Sequence, residues 1–378
     1  MAKGQPIEHK EFTDKKPDID RLFNYMIKEG ASDLHLKVGL KPRMRVHGSL
    51  EDIPAAVLSE KKMEALVFEI LTENQKQFYL EHGAFDFAHQ VGPMDRFRVN
   101  IFRQRGYTSL VARHITGDIP PFEKLNLPQV VQDLAAKSHD GIVLVTGPTG
   151  SGKSTTIASM LDYINRHRPC HIVTIEDPIE YLHQDHQATV NQREIGIDVA
   201  DFDLALKSLM RQDPDVVLVG EMRDHETITA AMRAAETGHL VFGTLHASNA
   251  AQTVQRILDL FPQEERELAR STFGNTMRAI ISQQLLKGIK PDAKRVPAVE
   301  ILISNPTMKK LIAEGRENDI PSAIRGGRGE GMQDFTDSLE KLVAGEWVEL
   351  EEALRCAPNV EELKMALKGV RASSGGIM

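Results

Sequence analysis

Behind the apolar run Ile142 to Val145 stands Gly147-Pro148-Thr149-Gly150-Ser151-Gly152-Lys153-Ser154, a glycine-rich turn that leads through Thr155 into a helix-length segment. A strand that stops at such a turn and continues as a helix aims several backbone N–H groups at one point. The positive end of the helix dipole favours an anion there. Glycines serve where a side chain would hold that anion away. The pattern reads as a cradle for the phosphates of ATP, with Gly147 to Thr155 as the binding candidates. Lys153 reaches the β and γ phosphates, and the Ser154 hydroxyl completes the shell of a bridging Mg²⁺.

The chain has 378 residues, 41% of them hydrophobic, which is enough for two domains that each bury a core. A net charge of -8 gives no global attraction to nucleic acid, so no nucleic-acid partner is expected. Cys170 and Cys356 are the two cysteines, too few for a four-cysteine zinc site and in keeping with a reducing cytoplasm. No apolar run approaches the roughly 18 residues that span a bilayer. A cytoplasmic protein is expected, with any membrane role supplied through partners.

Residues 1–16 read as a flexible tail and 17–116 as a first, α+β domain. Ile19, Leu22, Phe23, Met26 and Ile27 recur at helical spacing, and Gly30 ends that helix. Leu34 to Val38 and Arg43 to Gly48 alternate like a hairpin, and Ser59 caps a helix through about Leu71. Phe85 to Ala88, Arg96 to Phe102 and Thr108 to Arg113 read as antiparallel strands, with Gly92-Pro93 and Arg105-Gly106 as turns. A turn-rich connector, 117–125, follows. Beyond it the short apolar runs Ile142 to Val145, His171 to Ile175, Val216 to Val219 and Leu240 to Phe242 alternate with helical segments, as parallel strands covered on both faces do. This second domain runs over 126–367, is helix-rich from about Leu258, and leaves 368–378 as a tail.

Hydrolysis of ATP needs carboxylates near the cradle, at the carboxyl ends of neighbouring strands. Glu176, Asp177 and Glu180 follow the second apolar run, and Glu221 follows the third after Gly220. Spacing alone leaves the choice between Glu176 and Glu180 open. Glu221 reads as a Walker B acid that orients water or holds the magnesium shell. His239 and His246 bracket a strand, so they stand at opposite ends of it and fail as a metal pair; His246 falls where the γ phosphate lies. His183 and His186 sit in a polar loop with no further ligand nearby, which argues against a metal cluster. Arg96, Arg98, Arg103, Arg105 and Arg113 crowd the end of the first domain, either as a solvated sheet face or as arginine fingers.

Five motifs in order then resemble the PilT family of secretion ATPases, relatives of the GspE-like ATPases. They are Ala31 to Leu36, the cradle, the acidic box Glu176 to Glu180, Arg211 to Asp224, and the histidine box His239 to His246. The resemblance covers about Asp18 to Leu367. It implies an α/β protein: a PAS-like N-terminal domain joined to a RecA-like P-loop core with a helical C-terminal region. It also implies a homohexameric motor of pilus retraction, in which Arg98 and Arg113 complete the ATP site, Glu180 activates water, Glu221 is the Walker B acid, and His239 and His246 form the histidine pair. The implied partner is a platform protein of the inner membrane, with which the motor associates peripherally.

Retraction motors of this family carry an Ala-Ile-Arg-Asn-Leu-Ile-Arg-Glu segment. Here the stretch is Thr307-Met308-Lys309-Lys310-Leu311-Ile312-Ala313-Glu314, which keeps the apolar pair and final acid and loses the arginines. An accessory, assembly or secretion motor is the alternative this departure raises. A RecA-like DNA motor and a nonhydrolytic nucleotide sensor are rivals from other classes. The acidic balance disfavours the first, and ATP turnover decides the second.

Overall fold

Ile19, Phe23 and Met26 are fully buried, and their spacing wraps one face of α1 (Asp20–Lys28) against a sheet. The computed structural model describes residues 17–46, 48–92, 95–291 and 293–370, and the backbone alone at Thr116. Both tails expected from the sequence, apart from 368–370, and Pro93 of the expected Gly92-Pro93 turn lie outside the described residues. The chain divides into two compact units, Met1–Asp118 and Ile119–Met378.

The first unit continues with β1 (Asp33–Lys37), β2 (Arg43–Val46), β3 (Ser49–Asp52), α2 (Glu60–Phe68), α3 (Glu73–His82), β4 (Ala84–Val91), β5 (Asp95–Gln104) and β6 (Tyr107–Thr116). Among the described residues these strands form one antiparallel sheet in the order β3-β2-β1-β6-β5-β4. Arg105 (φ 53°) and Gly106 (φ 85°) make the tight β5–β6 turn that the sequence placed there. The Ser59 hydroxyl accepts the Lys62 N–H and opens α2 as expected, but α2 stops at Phe68. Thr72 then starts a separate helix through a capping box with Gln75. The sequence reading missed that second helix and β3.

The second unit holds α4 (Gln129–Lys137), β7 (Gly141–Thr146), α5 (Lys153–His167), β8 (His171–Glu176), β9 (Thr189–Glu194), α6 (Phe202–Leu209), β10 (Val216–Val219), α7 (His225–Glu236), β11 (Leu240–Leu245), α8 (Ala250–Asp259), α9 (Arg266–Thr276), β12 (Met277–Lys287) and β13 (Arg295–Ile303). Five further helices close it: α10 (Pro306–Ala313), α11 (Ile320–Gly326), α12 (Phe335–Ala344), α13 (Leu350–Cys356) and α14 (Val360–Leu367). The sheet order is β13-β12-β7-β11-β10-β8-β9, parallel throughout except for β12–β13. Every residue of β7, β10 and β11 is buried, because helices cover both faces. Helices dominate from Pro306 onward, but the expectation of a helix-rich stretch from Leu258 needs correcting. Residues 277–287 and 295–303 are two long strands that extend the sheet past β7. Among the described residues no helix is long and apolar enough to cross a membrane.

Candidate functional site

Parallel strands end on one edge of a sheet, so β7, β8, β10 and β11 deliver the segments that follow them to a common crevice. A cavity of about 510 Å³ opens there. Thr149, Gly150, Gly152, Lys153, Ser154 and Thr155 line it from the turn between β7 and α5, Glu176, Asp177 and Glu180 from the end of β8, Glu221 and Arg223 from beyond β10, and Thr244 and His246 from β11.

The turn is packed tightly from beneath. Gly147 has φ 146°, and a Cβ there would stand 2.3 Å from the Gln283 carbonyl oxygen. Gly147, Pro148 and Ser151 do not reach the cavity wall, and Ser151 is buried below it. Lys153 Nζ donates to the carbonyls of Gly147 and Pro148 at 3.0 and 3.1 Å. Burial holds its ammonium below the ordinary lysine value, against the opposing pull of Glu221 and Glu180. The ammonium is thus tethered to two carbonyls of the turn, on the wall of the cavity.

The carboxylates differ in character. Burial pushes Glu176 up to about 7, although the Thr174 hydroxyl (2.6 Å), the Gln192 amide (3.2 Å) and the Glu180 N–H favour its ionised form; the Glu180 charge adds to the rise. Glu180 is exposed on the cavity wall. Glu221 lies below its ordinary value, chiefly because Arg223 donates to it at 2.5 Å; burial opposes this, and the Arg223, His246 and Lys153 charges add to the lowering. Two carboxyl groups of opposite tendency in one crevice separate a protonated group from an anion.

His246 Nε2 stands 3.3 Å from Glu221 Oε1. The structure leaves His239 outside this cluster. It precedes β11 at the strand's other end, where its ring Nδ1 donates to the Ala234 carbonyl at 2.9 Å. Six strand residues span about 20 Å, so His239 cannot act on the group His246 faces within one subunit. His183, set aside in the sequence as a loop residue, lines the cavity, and burial lowers its imidazole to about 4. Sequence reasoning also missed Tyr181, whose hydroxyl meets Thr155 Oγ1 at 2.7 Å, and Gln192, which braces Glu176 from an edge strand. No local pattern marks a polar residue whose partner is far along the chain.

Arg98 and Arg113 belong to the first unit. They are directly opposed across β5 and β6, and Arg113 is in turn opposed to Asp33 of β1, to which its Nε donates at 2.9 Å. Burial raises the Asp33 carboxyl, but bonds from Ser32 and Arg113 and the Arg113 charge outweigh it and hold the group below its ordinary value.

A model of the type II/IV secretion system protein family matches residues 120–355. The chain belongs to this family. It is 45% identical to the type IV pilus retraction ATPase PilT of Pseudomonas aeruginosa over 327 residues, 86% of this chain and 94% of that protein. Identity to the type IV pilus ATPase PilU of the same organism is 36% over 352 residues, 93% and 91% of the two chains. A crystal structure of the pilus retraction motor PilT with bound ADP matches with a TM-score of 0.84 at 42% identity, covering 91% of this chain and 98% of that one. This PilT-type secretion ATPase binds nucleotide and hydrolyses ATP.

Proposed function

We propose that this chain is a Mg²⁺-dependent, homohexameric motor that works in the cytoplasm against the inner membrane and powers pilus retraction through a platform protein. The observation that carries the reading is the convergence of Lys153, Glu180, Glu221 and His246 on one cavity in a chain 45% identical to PilT. In this reading the N–H groups of Thr149 to Thr155 and the Lys153 ammonium hold the phosphates. Ser154 and Glu221 line the same wall, which fits a hard cation. A magnesium ion held there neutralises charge on the β and γ phosphates. Glu180, exposed to the cavity, takes the proton of the attacking water, and Glu176 supports its loop. His246 reads the γ phosphate position and shares Glu221 with it. Arg98 and Arg113 of a neighbouring subunit stabilise the charge that develops on the transferred phosphoryl group. His239 has no part in the cavity under this proposal. Domains of 17–116 and 126–367, joined by 117–125, are the proposed moving parts.

A second reading, an accessory motor of the same machine, draws on α10. That helix carries Lys309 and Ala313 where retraction motors of the family carry their two arginines, and the similarity to PilU supports it. A strain lacking the gene separates the two: pili that extend and fail to withdraw support retraction, whereas normal withdrawal supports the accessory role. Steady-state ATP turnover tests the site itself. Equal rates for the wild-type chain, Lys153→Ala and Glu221→Ala reject it.

A further inference from the structure

Gln283 lies in β12, beside the strand that feeds the phosphate turn, and is 3% exposed. Its side-chain Nε2 donates to the Ser151 carbonyl at 2.6 Å, and its Oε1 accepts the Thr156 hydroxyl at 2.9 Å. A carbonyl oxygen can accept and not donate, so the amide nitrogen must be the atom facing Ser151. Both partners belong to the cradle: Ser151 is in the turn, and Thr156 is in the first turn of α5, where its own N–H bonds the Gly152 carbonyl at 3.0 Å. The fit leaves no slack. A Cβ at Gly152 would stand 2.8 Å from the Gln283 Nε2.

We propose that Gln283 is a positioning residue that sets the phosphate-binding orientation of the turn; the inference rests on nucleotide phosphates lying in this cradle. In a planar trans peptide, the C=O of one residue and the N–H of the next point in opposite directions. Pinning the Ser151 carbonyl toward β12 therefore turns the Gly152 N–H away from β12 and into the cavity that Gly152 lines. Without the clamp the 151–152 peptide can rotate, and glycine at 152 imposes little resistance. A rotated peptide offers phosphate a carbonyl oxygen where it needs a donor. Thr156 keeps the amide from turning by holding its other end.

The test uses the full chain and a fluorescent ADP analogue. In Gln283→Glu the carboxylate at pH 8 opposes both the Ser151 carbonyl and the phosphates, so the dissociation constant rises about tenfold or more over wild type. Lowering the pH to 6 protonates the buried glutamate, restores a donor to Ser151 and recovers most of that loss, which a merely structural defect does not do. Thr156→Val removes the hydroxyl with little change of volume, raising KM for ATP several-fold while kcat stays within about threefold. Thermal melts followed by circular dichroism establish that each variant folds. Binding by Gln283→Glu that equals wild type at pH 8, or a deficit identical at pH 6 and pH 8, overturns the proposal. If the glutamate variant does not fold, a wild-type KM in Thr156→Val overturns it instead. Failure of the wild-type chain to bind the analogue sinks the nucleotide reading, and the clamp with it.

Discussion

The imidazole Nε2 of His246 stands 3.3 Å from Oε1 of Glu221, while Oε2 of the same carboxylate takes a bond from Arg223. Strands β10 and β11 run parallel and in register, which is what brings residues 221 and 246 side by side at the crevice. One carboxylate thus links two groups that line the same cavity.

Glu221→Gln keeps the shape and removes the charge. Turnover falls on the order of a hundredfold, since one electrostatic element of a preorganised site is lost. His246→Ala costs about tenfold, and the double variant loses little more than Glu221→Gln, because the histidine acts through the carboxylate. Phosphate-release kinetics on the three variants check this. Full additivity would mean that the two residues act independently.

Stability carries its own pH signature at Glu300. This β13 residue is 7% exposed, and its Oε1 accepts the Ala250 N–H at 2.7 Å at the start of α8. Burial raises its carboxyl to about 7 from an ordinary 4.5; the Ala250 bond and Arg325 oppose the rise, and Asp334 adds to it. Between those values the folded chain holds a proton that the unfolded chain has released, so stability falls as pH climbs through the window and stays lowered above it. Glu300→Gln keeps an acceptor for Ala250 and removes the ionisation. It raises the melting temperature at pH 8 and leaves it near wild type at pH 5, with a gain of up to about 3 kcal/mol. A gain of equal size at both pH values would assign the effect to packing.

Gly147→Ala places a methyl group 2.3 Å from the Gln283 carbonyl on a backbone with φ 146°. Either the turn or β12 must move, at a cost on the order of 2–4 kcal/mol. Nucleotide affinity falls at least tenfold in a titration with the ADP analogue. Gly329→Ala, where nothing lies within 4 Å, is the control and stays near wild type.

How far the sequence revealed this depends on where each signal lives. The cradle and strands β7, β8, β10 and β11 were legible because their chemistry is local: a glycine-rich turn behind runs of Val, Ile and Leu buried on both faces. Strand β12 was not, since Arg278, Ser282 and Gln283 interrupt its apolar pattern. Ser282 and Gln283 are buried to serve distant partners, Ser282 accepting from Thr146 and Gln283 bracing Ser151 and Thr156, while half-buried Arg278 reaches Asp140. Strand β9 escaped for a different reason: Thr189-Val190-Asn191-Gln192-Arg193-Glu194 is an edge strand whose inward face, Val190, Gln192 and Glu194, offers a single apolar residue. Glu176 and Glu180 share one local pattern. Their difference arises from burial, which sequence spacing does not encode.

The arginine row makes the sharpest prediction about assembly. Arg98 opposes Arg113 and Arg113 opposes Asp33, so the bond to Asp33 fixes one guanidinium beside the other on an exposed sheet surface. Arg113 already has a carboxylate partner in Asp33, and a further anion brought to this exposed face would meet Arg98 as well. If that anion is the phosphate of a neighbouring subunit, Lys153→Ala and Arg113→Ala chains are each inactive alone and complement each other when mixed before assembly. Random pairing gives about one quarter of the interfaces an intact Lys153 from one chain and an intact Arg113 from the next, so turnover returns to roughly that fraction of wild type. Arginines that act on their own subunit's nucleotide give no such sites, because no chain in the mixture carries both residues. A mixture as inactive as its components places Arg113 on its own subunit's site or outside the chemistry altogether.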